Sequence, residues 1–543
     1  VSRREALILL AVVTASLIAR CLCAFGTDIF QDEAIYWWQS CEGLSFAPQP
    51  PVVSVLARLG LALGGHTVAA LRLGALLTGT AGILAAWLLG RELAGPRAGL
   101  WSAGLFAVCP MFLTAGAVLT PDAPLFLCWL LFLWAAWRGA RTGRLAWWLL
   151  AGVLFAAGVY TKYMMVLAGP ALCLALLLSR EGRAALRTPG PWLAGLVGAG
   201  LFLPVFLWWD HMHGWAALGY HLESRHHWGF ESTLLRDYIL GHGGAVSPVL
   251  MVALVWGLCR WVARWRRGDA RAAWLVCFSV FPIAFFAVPS ICTESFMLRV
   301  HWDAVGYASA LVALGCLLGG EDLPEATGRR WRRVTGVGMA LAGGLVALLM
   351  VVSLLPAVGL RMGLNRPPIR KLMGWRELAA EVRKREAAWS GPDRFLLTDS
   401  FSAALCIGFH LERREGIYCL PHPRNYRYGL RDALEDWGID WQAMVREQRG
   451  RPALFVDRIH WSRRPGGRPP PPLVHAFFKV VSREAAVRLT RGEMHLGTAV
   501  LYHCEALSPS DRAIEWLRER SSPPQRGQTL APDPYQSVTS DTL

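Results

Sequence analysis

Residues 28–40 read Asp-Ile-Phe-Gln-Asp-Glu-Ala-Ile-Tyr-Trp-Trp-Gln-Ser, which places Asp28, Asp32 and Glu33 just ahead of Tyr36, Trp37 and Trp38. A carboxylate in a partly desolvated cleft has a raised pKa and can accept a proton from a reacting hydroxyl. Asp32 ahead of Glu-Ala-Ile-Tyr would also suit the plainer job of capping a helix N-terminus. A further carboxylate, Asp122, follows Pro121 in Thr-Pro-Asp-Ala-Pro and is open to the same two readings. Two carboxylates held close push their pKa values apart, which keeps one of them useful as a base. Few cations lie on the same side of the chain as these acids; Arg58, Lys162 and Arg299 are candidates among them, and Arg20 and Arg72 lie inside apolar runs. Lys162 stands between Thr161 and Tyr163 at the end of an apolar segment, where snorkelling to lipid headgroups is its bland role. His211, His213, His221, His226, His227 and His242 cluster in one loop with Asp210 and Glu223. Two His and a carboxylate can bind zinc, but this spacing matches no specific metal motif.

The elements that must position these groups are membrane helices. The chain has 543 residues, is 54% hydrophobic and only 17% charged, and its mean hydropathy of +0.35 is unlike that of a soluble globular protein. Its 26 Trp fit membrane–water interfaces. Eleven apolar spans are expected, at 6–25, 68–90, 98–119, 123–137, 145–160, 164–179, 191–209, 246–262, 272–288, 303–319 and 335–357. Spans four to six are short and closely joined, so tilted or partial helices are expected there. The first apolar segment lacks an A-x-A cleavage site and contains Arg20, so it is expected to be retained.

Alternate loops then separate by charge. One set holds 19 basic residues, from Arg3 and Arg4 to Arg332 and Arg333; the other holds five. Basic short loops mark the cytoplasm, so the N-terminus is expected inside and residues 358–543 outside. Asp32, Glu33, Asp122, Asp210, Glu223, Glu231, Asp237, Glu294 and Asp303 then all face outward. Most acids sit at this outer mouth rather than at mid-bilayer depth, which favours interfacial chemistry over a pump or channel. The formal charge of +16 does not point to nucleic acid, because it is spread over short loops rather than gathered on one face.

Beyond residue 360 the long apolar runs stop. Strands are expected at 394–399, 416–420, 452–457, 473–482 and 497–506, with helices at 400–410 and 430–448, making a small α/β domain. Residues 463–472 read as a Pro-rich loop, and 519–543 as a polar, disordered tail. The expected organisation is a membrane domain over 1–358, an extracytoplasmic α/β domain over 359–518, and the tail. Cys406 and Cys419 are a candidate disulfide in an extracytoplasmic setting; two free thiols are the alternative.

Several motifs occur in order on the outer side. They are Asp32-Glu33-Ala34 with Tyr36, Gln49-Pro50-Pro51, Arg72-Leu73, Thr120-Pro121-Asp122-Ala123-Pro124, Thr161-Lys162-Tyr163, Leu203-Pro204-Val205 and His301-Trp302. Over about residues 5–320 this series resembles the GT-C glycosyltransferases of the protein O-mannosyltransferase and aminoarabinose transferase group, including bacterial members with the RgtA/B/C/D-like domain. The resemblance implies a GT-C fold of about eleven transmembrane helices with a small C-terminal extracytoplasmic α/β domain. It implies an enzyme of the bacterial cytoplasmic (inner) membrane that takes a sugar from a polyprenyl-phosphate donor. The acceptor would be a lipid, glycan or protein at the outer face. It places the catalytic aspartate on Asp32, with Glu33 and Asp122 as further active-site carboxylates. Lys162, Arg58, Arg72 and Arg299 become candidates for the carrier phosphate, and His301, Trp302 and Tyr36 for substrate contact. Trp37 and Trp38 could stack on a sugar or serve as an aromatic belt. No obligatory metal is expected, the alternative being a divalent ion in the His-rich loop. Gln49 stands where relatives often carry Lys or His, and Ile35 where some carry Arg, so aminoarabinose specificity is not implied. A polyprenyl-lipid flippase without transferase activity is the alternative function.

Overall fold

The computed structural model describes residues 2–47, 49–215, 217–219, 232–290, 301–320, 323–421, 430–457, 472–511, 514, 515, 517 and 518. These divide into two compact units. One comprises residues 1–25 and 42–348; the other comprises 26–41 and 349–543. The acidic stretch at 28–40 therefore belongs to the same unit as the C-terminal domain, a grouping that the linear order of the chain does not suggest.

The first unit is helical. Its elements are α1 (Arg3–Gly26, which ends in the second unit), followed after α2 (Gln31–Cys41, in the second unit) by α3 (Val52–Gly64), α4 (Val68–Leu71), α5 (Leu73–Ala94), α6 (Pro96–Val108), α7 (Pro110–Ala115), α8 (Asp122–Thr142) and α9 (Leu145–Thr161). A 3-10 turn at Tyr163–Leu167 leads into α10 (Ala168–Leu178), α11 (Arg180–Ala185) and α12 (Gly190–Met212). Then come α13 (Ser232–Val246), α14 (Pro248–Trp265), α15 (Ala270–Ser290), α16 (Ala304–Gly319) and α17 (Glu325–Leu354, which crosses into the second unit). Seven of these helices are long and apolar enough to cross a membrane, and α3, α9, the Tyr163–Leu178 stretch and α16 are shorter apolar helices. All eleven expected spans fall on helices. The fourth is not short: α8 runs 21 residues, because Arg138 and Arg141 continue the helix past its apolar stretch to a left-handed Gly143 at φ 68°. The third is broken: Pro110 ends α6 at Val108 and opens α7. Helix α3 was not expected at all. The tight join between α5 and α6 follows from Gly95 at φ 89° and Pro96 at the first helical position.

Small residues let these helices approach. A Cβ on Gly315 of α16 would stand 2.3 Å from the Ser102 hydroxyl of α6, and one on Gly319 would stand 2.3 Å from the Ala98 nitrogen. Gly315 and Gly319 thus form a small-x-x-x-small seam, the device that packs helices where burial from water gives no drive. Trp129 donates to Ser309 at 2.8 Å across the α8–α16 contact.

The second unit contains α2, α18 (Pro356–Arg361), α19 (Trp375–Ala387), α20 (Phe401–Leu411), α21 (Arg431–Asp436), α22 (Trp441–Glu447) and α23 (Pro472–Phe477). These accompany a five-stranded sheet of β1 (Phe395–Thr398), β2 (Ile417–Cys419), β3 (Ala453–Val456), β4 (Val481–Arg491) and β5 (Met494–Cys504), in the order β2-β1-β3-β5-β4. Strand β1 pairs in parallel with β2 and β3, while β5 runs antiparallel to β3 and β4. Every residue of β1 and β3 is buried, as in strands covered on both faces. The expected strand at 473–482 is instead α23 followed by the start of β4, since an apolar run such as Leu-Val-His-Ala-Phe-Phe has no period that separates helix from strand. Cys406 and Cys419 are not bridged to each other, so the two-thiol alternative holds over the candidate disulfide. Burial, joined by the charges of Asp28, Glu33 and Asp32, holds the Cys406 thiol well above its ordinary range.

Candidate active site

Each functional side chain is positioned by its own unit. In the second unit, α2 begins at Gln31, so Asp32 stands at its second position rather than at the cap, and the capping role expected for it falls elsewhere. Glu33, fully buried, turns back so that its Oε2 accepts the Phe30 amide at 2.9 Å. This is the reach-back half of a capping box. Asp32 is only partly buried. The two acids of the pair are thus separated by environment: one closes the helix end, the other remains at its rim.

Asp28 is the residue that sequence reasoning left without a role. It is fully buried, and its carboxylate accepts the amides of Ile29 at 2.8 Å and Arg376 at 2.7 Å, with His410 Nε2 donating to Oδ1. Because Arg376 is the second residue of α19, Asp28 caps that helix from a distant part of the chain, where Gly374 offers no side chain. Burial pushes the Asp28 carboxyl up, but the His410 hydrogen bond and charge and the two amides outweigh it and hold it below its ordinary value. The depressed value gives a sign. The contribution of Asp28 to stability is complete above the unfolded carboxylate value of about 3.9 and is lost as pH falls through the lower folded value. Acid titration of the wild type should therefore show loss of protection around α19 below about pH 4 that Asp28→Asn lacks, read by hydrogen exchange.

Tyr36, Trp37 and Trp38 are all buried in this unit. Trp37 meets Phe409 edge-on at 5.3 Å, and Trp38 packs 6.0 Å from Trp437 with Arg414 over its ring at 5.3 Å. For Trp37 and Trp38, packing within the unit replaces the expected aromatic belt.

In the first unit, Lys162 and Asp122 meet. Lys162 ends α9 in an extended conformation that turns its side chain back to the start of α8, and its ammonium lies 2.6 Å from the Asp122 carboxylate. Both are buried. The expectation that treated one as an acid and the other as a separate cation becomes a single ion pair. Arg72, fully buried, donates through Nη1 to the Cys23 and Ala24 carbonyls at 3.3 Å each, closing the end of α1. Arg20, also fully buried, donates to the Phe112 carbonyl at 3.3 Å and passes between Gly79 and Gly116, where a Cβ on Gly116 would come within 2.7 Å of its guanidinium. It is enclosed by helices rather than reaching toward headgroups. Arg58 is exposed on α3, and His301 is exposed beside a buried Trp302, which meets Phe286 at 5.7 Å.

The loop histidines separate. His213 bonds the Trp209 carbonyl at 2.7 Å and stacks on its ring, while Asp210 accepts the Ala217 amide at 2.8 Å. His242 bonds Asp303 at 2.8 Å, and Tyr238 donates to the same carboxylate at 2.5 Å. Burial and the Asp303 charge push the Tyr238 phenol up, so it stays a neutral donor. Arg299, His221, His226, His227, Glu223, Glu231 and Glu294 lie outside the described residues, as does the tail 519–543. Among the described residues no group of three His, Cys, Asp or Glu side chains is gathered to hold a metal ion.

Comparison with known proteins bears on the fold. The family of dolichyl-phosphate-mannose-protein mannosyltransferases matches residues 48–208. The structure of ArnT from Cupriavidus metallidurans in the apo state aligns with a TM-score of 0.59 at 15% identity, over 92% of this chain and 98% of that one. ArnT from the same organism bound to undecaprenyl phosphate aligns with a TM-score of 0.61 at 14% identity, over 91% and 97%. No curated protein sequence matches the chain. The architecture is therefore the ArnT-like GT-C fold, a polytopic helical membrane protein with a small C-terminal sheet, as the ordered motifs led us to expect.

Proposed function

We propose that this chain is a membrane glycosyltransferase that moves a sugar from a polyprenyl-phosphate donor to a hydroxyl or phosphate of a lipid, glycan or protein. The observation that carries the reading is the fold likeness to ArnT along nearly the whole of both chains, one of those structures being bound to undecaprenyl phosphate. The arginine-rich loops support an orientation in the bacterial cytoplasmic membrane with the N-terminus inside and residues 28–41 on the extracytoplasmic face.

In this reading Asp32 takes the acceptor proton as the acceptor oxygen bonds to the anomeric carbon. The bond from that carbon to the carrier phosphate breaks, and the phosphate leaves with the electron pair. Partial exposure at the helix rim suits Asp32 to this task, and the buried, amide-bonded Glu33 suits orientation of α2. An ammonium has three donors. Asp122 takes one from Lys162, and we assign the others to carrier phosphate, where charge neutralisation is most effective in a dry site. Arg72 we assign to holding the end of α1, and Arg58, Arg299 and His301 to substrate contact. Trp302, buried beside His301, supports it by packing, and we keep Tyr36 as a candidate for substrate contact.

The test is turnover. Full-length protein in sealed lipid vesicles is given undecaprenyl-phosphate hexoses and pentoses, 32P-labelled in the phosphate and tritiated in the sugar, with an extract of envelope lipids and proteins. Release of free undecaprenyl phosphate with sugar in the acceptor fraction is expected. Movement of the intact labelled lipid across the bilayer with no release would instead mark a flippase.

A further inference from the structure

The proposed reactive segment is built into the C-terminal unit, and the way it is held assigns that unit a task. We infer that Asp28 and His410 form a positioning pair through which the C-terminal unit sets where Asp32 stands. This rests on the transferase reading above for its consequence in rate, though not for its geometry.

Only Ile29, Phe30 and Gln31 separate Asp28 from Asp32, and Ile29 is itself fully buried. Asp28 is fixed by both backbone and side chain. Its amide donates to the Leu372 carbonyl at 2.7 Å, its Oδ2 accepts the Arg376 amide at 2.7 Å, and His410 Nε2 donates to its Oδ1. The partners come from two later segments, one between Met362 and α19 with its first turn, the other the last turn of α20. Just before Asp28, Arg491 of β4 donates to the Gly26 carbonyl at 3.3 Å and pairs with Glu377 at 2.9 Å. Beyond Asp32, Trp37 is braced edge-on by Phe409, the neighbour of His410 in α20. The segment is therefore gripped on both sides of Asp32 by residues more than three hundred positions away, and α20 contributes to both grips.

The chemistry of the grip explains its residue types. A buried carboxylate facing two amides needs a further strong donor, and an imidazole N–H on a short, stiff side chain supplies one with a fixed direction. Positioning matters because a displacement of about 1 Å at a reacting group can cost on the order of 100-fold in rate. His410 touches neither donor nor acceptor in this account; it acts through Asp28.

The experiment uses His410→Ala and His410→Gln in the full chain, the amide of Gln being able to donate in place of Nε2. Hydrogen exchange by mass spectrometry follows residues 28–36 and, as an internal control, β1. Release of undecaprenyl phosphate from the same 32P-labelled donors gives kcat and KM. For His410→Ala we expect faster exchange confined to 28–36, a fall in kcat of about tenfold or more, and a donor KM within about twofold of wild type. For His410→Gln we expect recovery of both protection and rate. Unchanged exchange at 28–36, or unchanged kcat despite faster exchange, overturns the inference. So does loss of protection spread through β1 with kcat and KM moving together, which would mark a merely structural contact. Should the wild type release nothing from any donor, the transferase reading fails, and the exchange comparison alone then decides whether His410 anchors the segment.

Discussion

Asp32→Asn should fold, insert and lose transfer, with the rate falling by about 10²–10⁴. Asparagine keeps the shape of the side chain and removes only its capacity to accept a proton. The structural cost is small, because Asp32 sits at the second position of α2 and is partly exposed, so the loss is chiefly a favourable charge near a helix N-terminus, about 0.3–1 kcal/mol. The neighbouring acid gives the contrast. In Glu33→Gln the amide oxygen can still accept the Phe30 N–H, so α2 keeps its cap and most activity should survive. Steady-state release of undecaprenyl phosphate measures both. Near wild-type turnover in Asp32→Asn rejects the assignment of the base.

Lys162→Ala should be the most destabilising single change at the site. It leaves the Asp122 carboxylate buried without its ion-pair partner, and breaking a buried pair from one side costs about 3–5 kcal/mol. The double variant Asp122→Asn, Lys162→Met removes both charges and should recover most of that stability, since the expense lies in the orphaned charge and not in the missing attraction. It should not recover transfer, because the ammonium proposed to face the phosphate is gone. Denaturation in mixed micelles compares the three proteins. A Lys162→Ala protein as stable as wild type would show that the pair is not a buried one.

The membrane helices were legible because their signal is local. A run of apolar residues either reaches span length or does not, and all eleven runs proved helical. The same rule hid α3, whose 13 residues fall short of a span and follow a Pro-Pro pair that reads as a loop. Strands β1, β2 and β3 were visible as short apolar runs between turn residues, whereas β4 carries alternating charge and Ala and was largely passed over. The candidate site was legible as a list and not as a set of partnerships. Asp122 and Lys162 were singled out separately, but nothing in a single sequence reveals that residues 40 positions apart share a proton donor and acceptor. Asp28 and His410, 382 positions apart, were further still from view. What could have raised suspicion was Asp28 itself, a third acid ahead of a pair for which the chemistry needs only one or two.

The orientation of residues 28–41 underlies every role assigned to Asp32, and native Cys41 reports on it directly. Cys41 ends α2, nine positions after Asp32, and its side chain is exposed. Intact cells and inverted membrane vesicles are treated with a membrane-impermeant maleimide, and the peptide carrying Cys41 is quantified by mass spectrometry. Labelling in intact cells, with protection in sealed inverted vesicles, is the predicted result. Labelling only in the inverted vesicles would place the acidic segment in the cytoplasm and contradict the account.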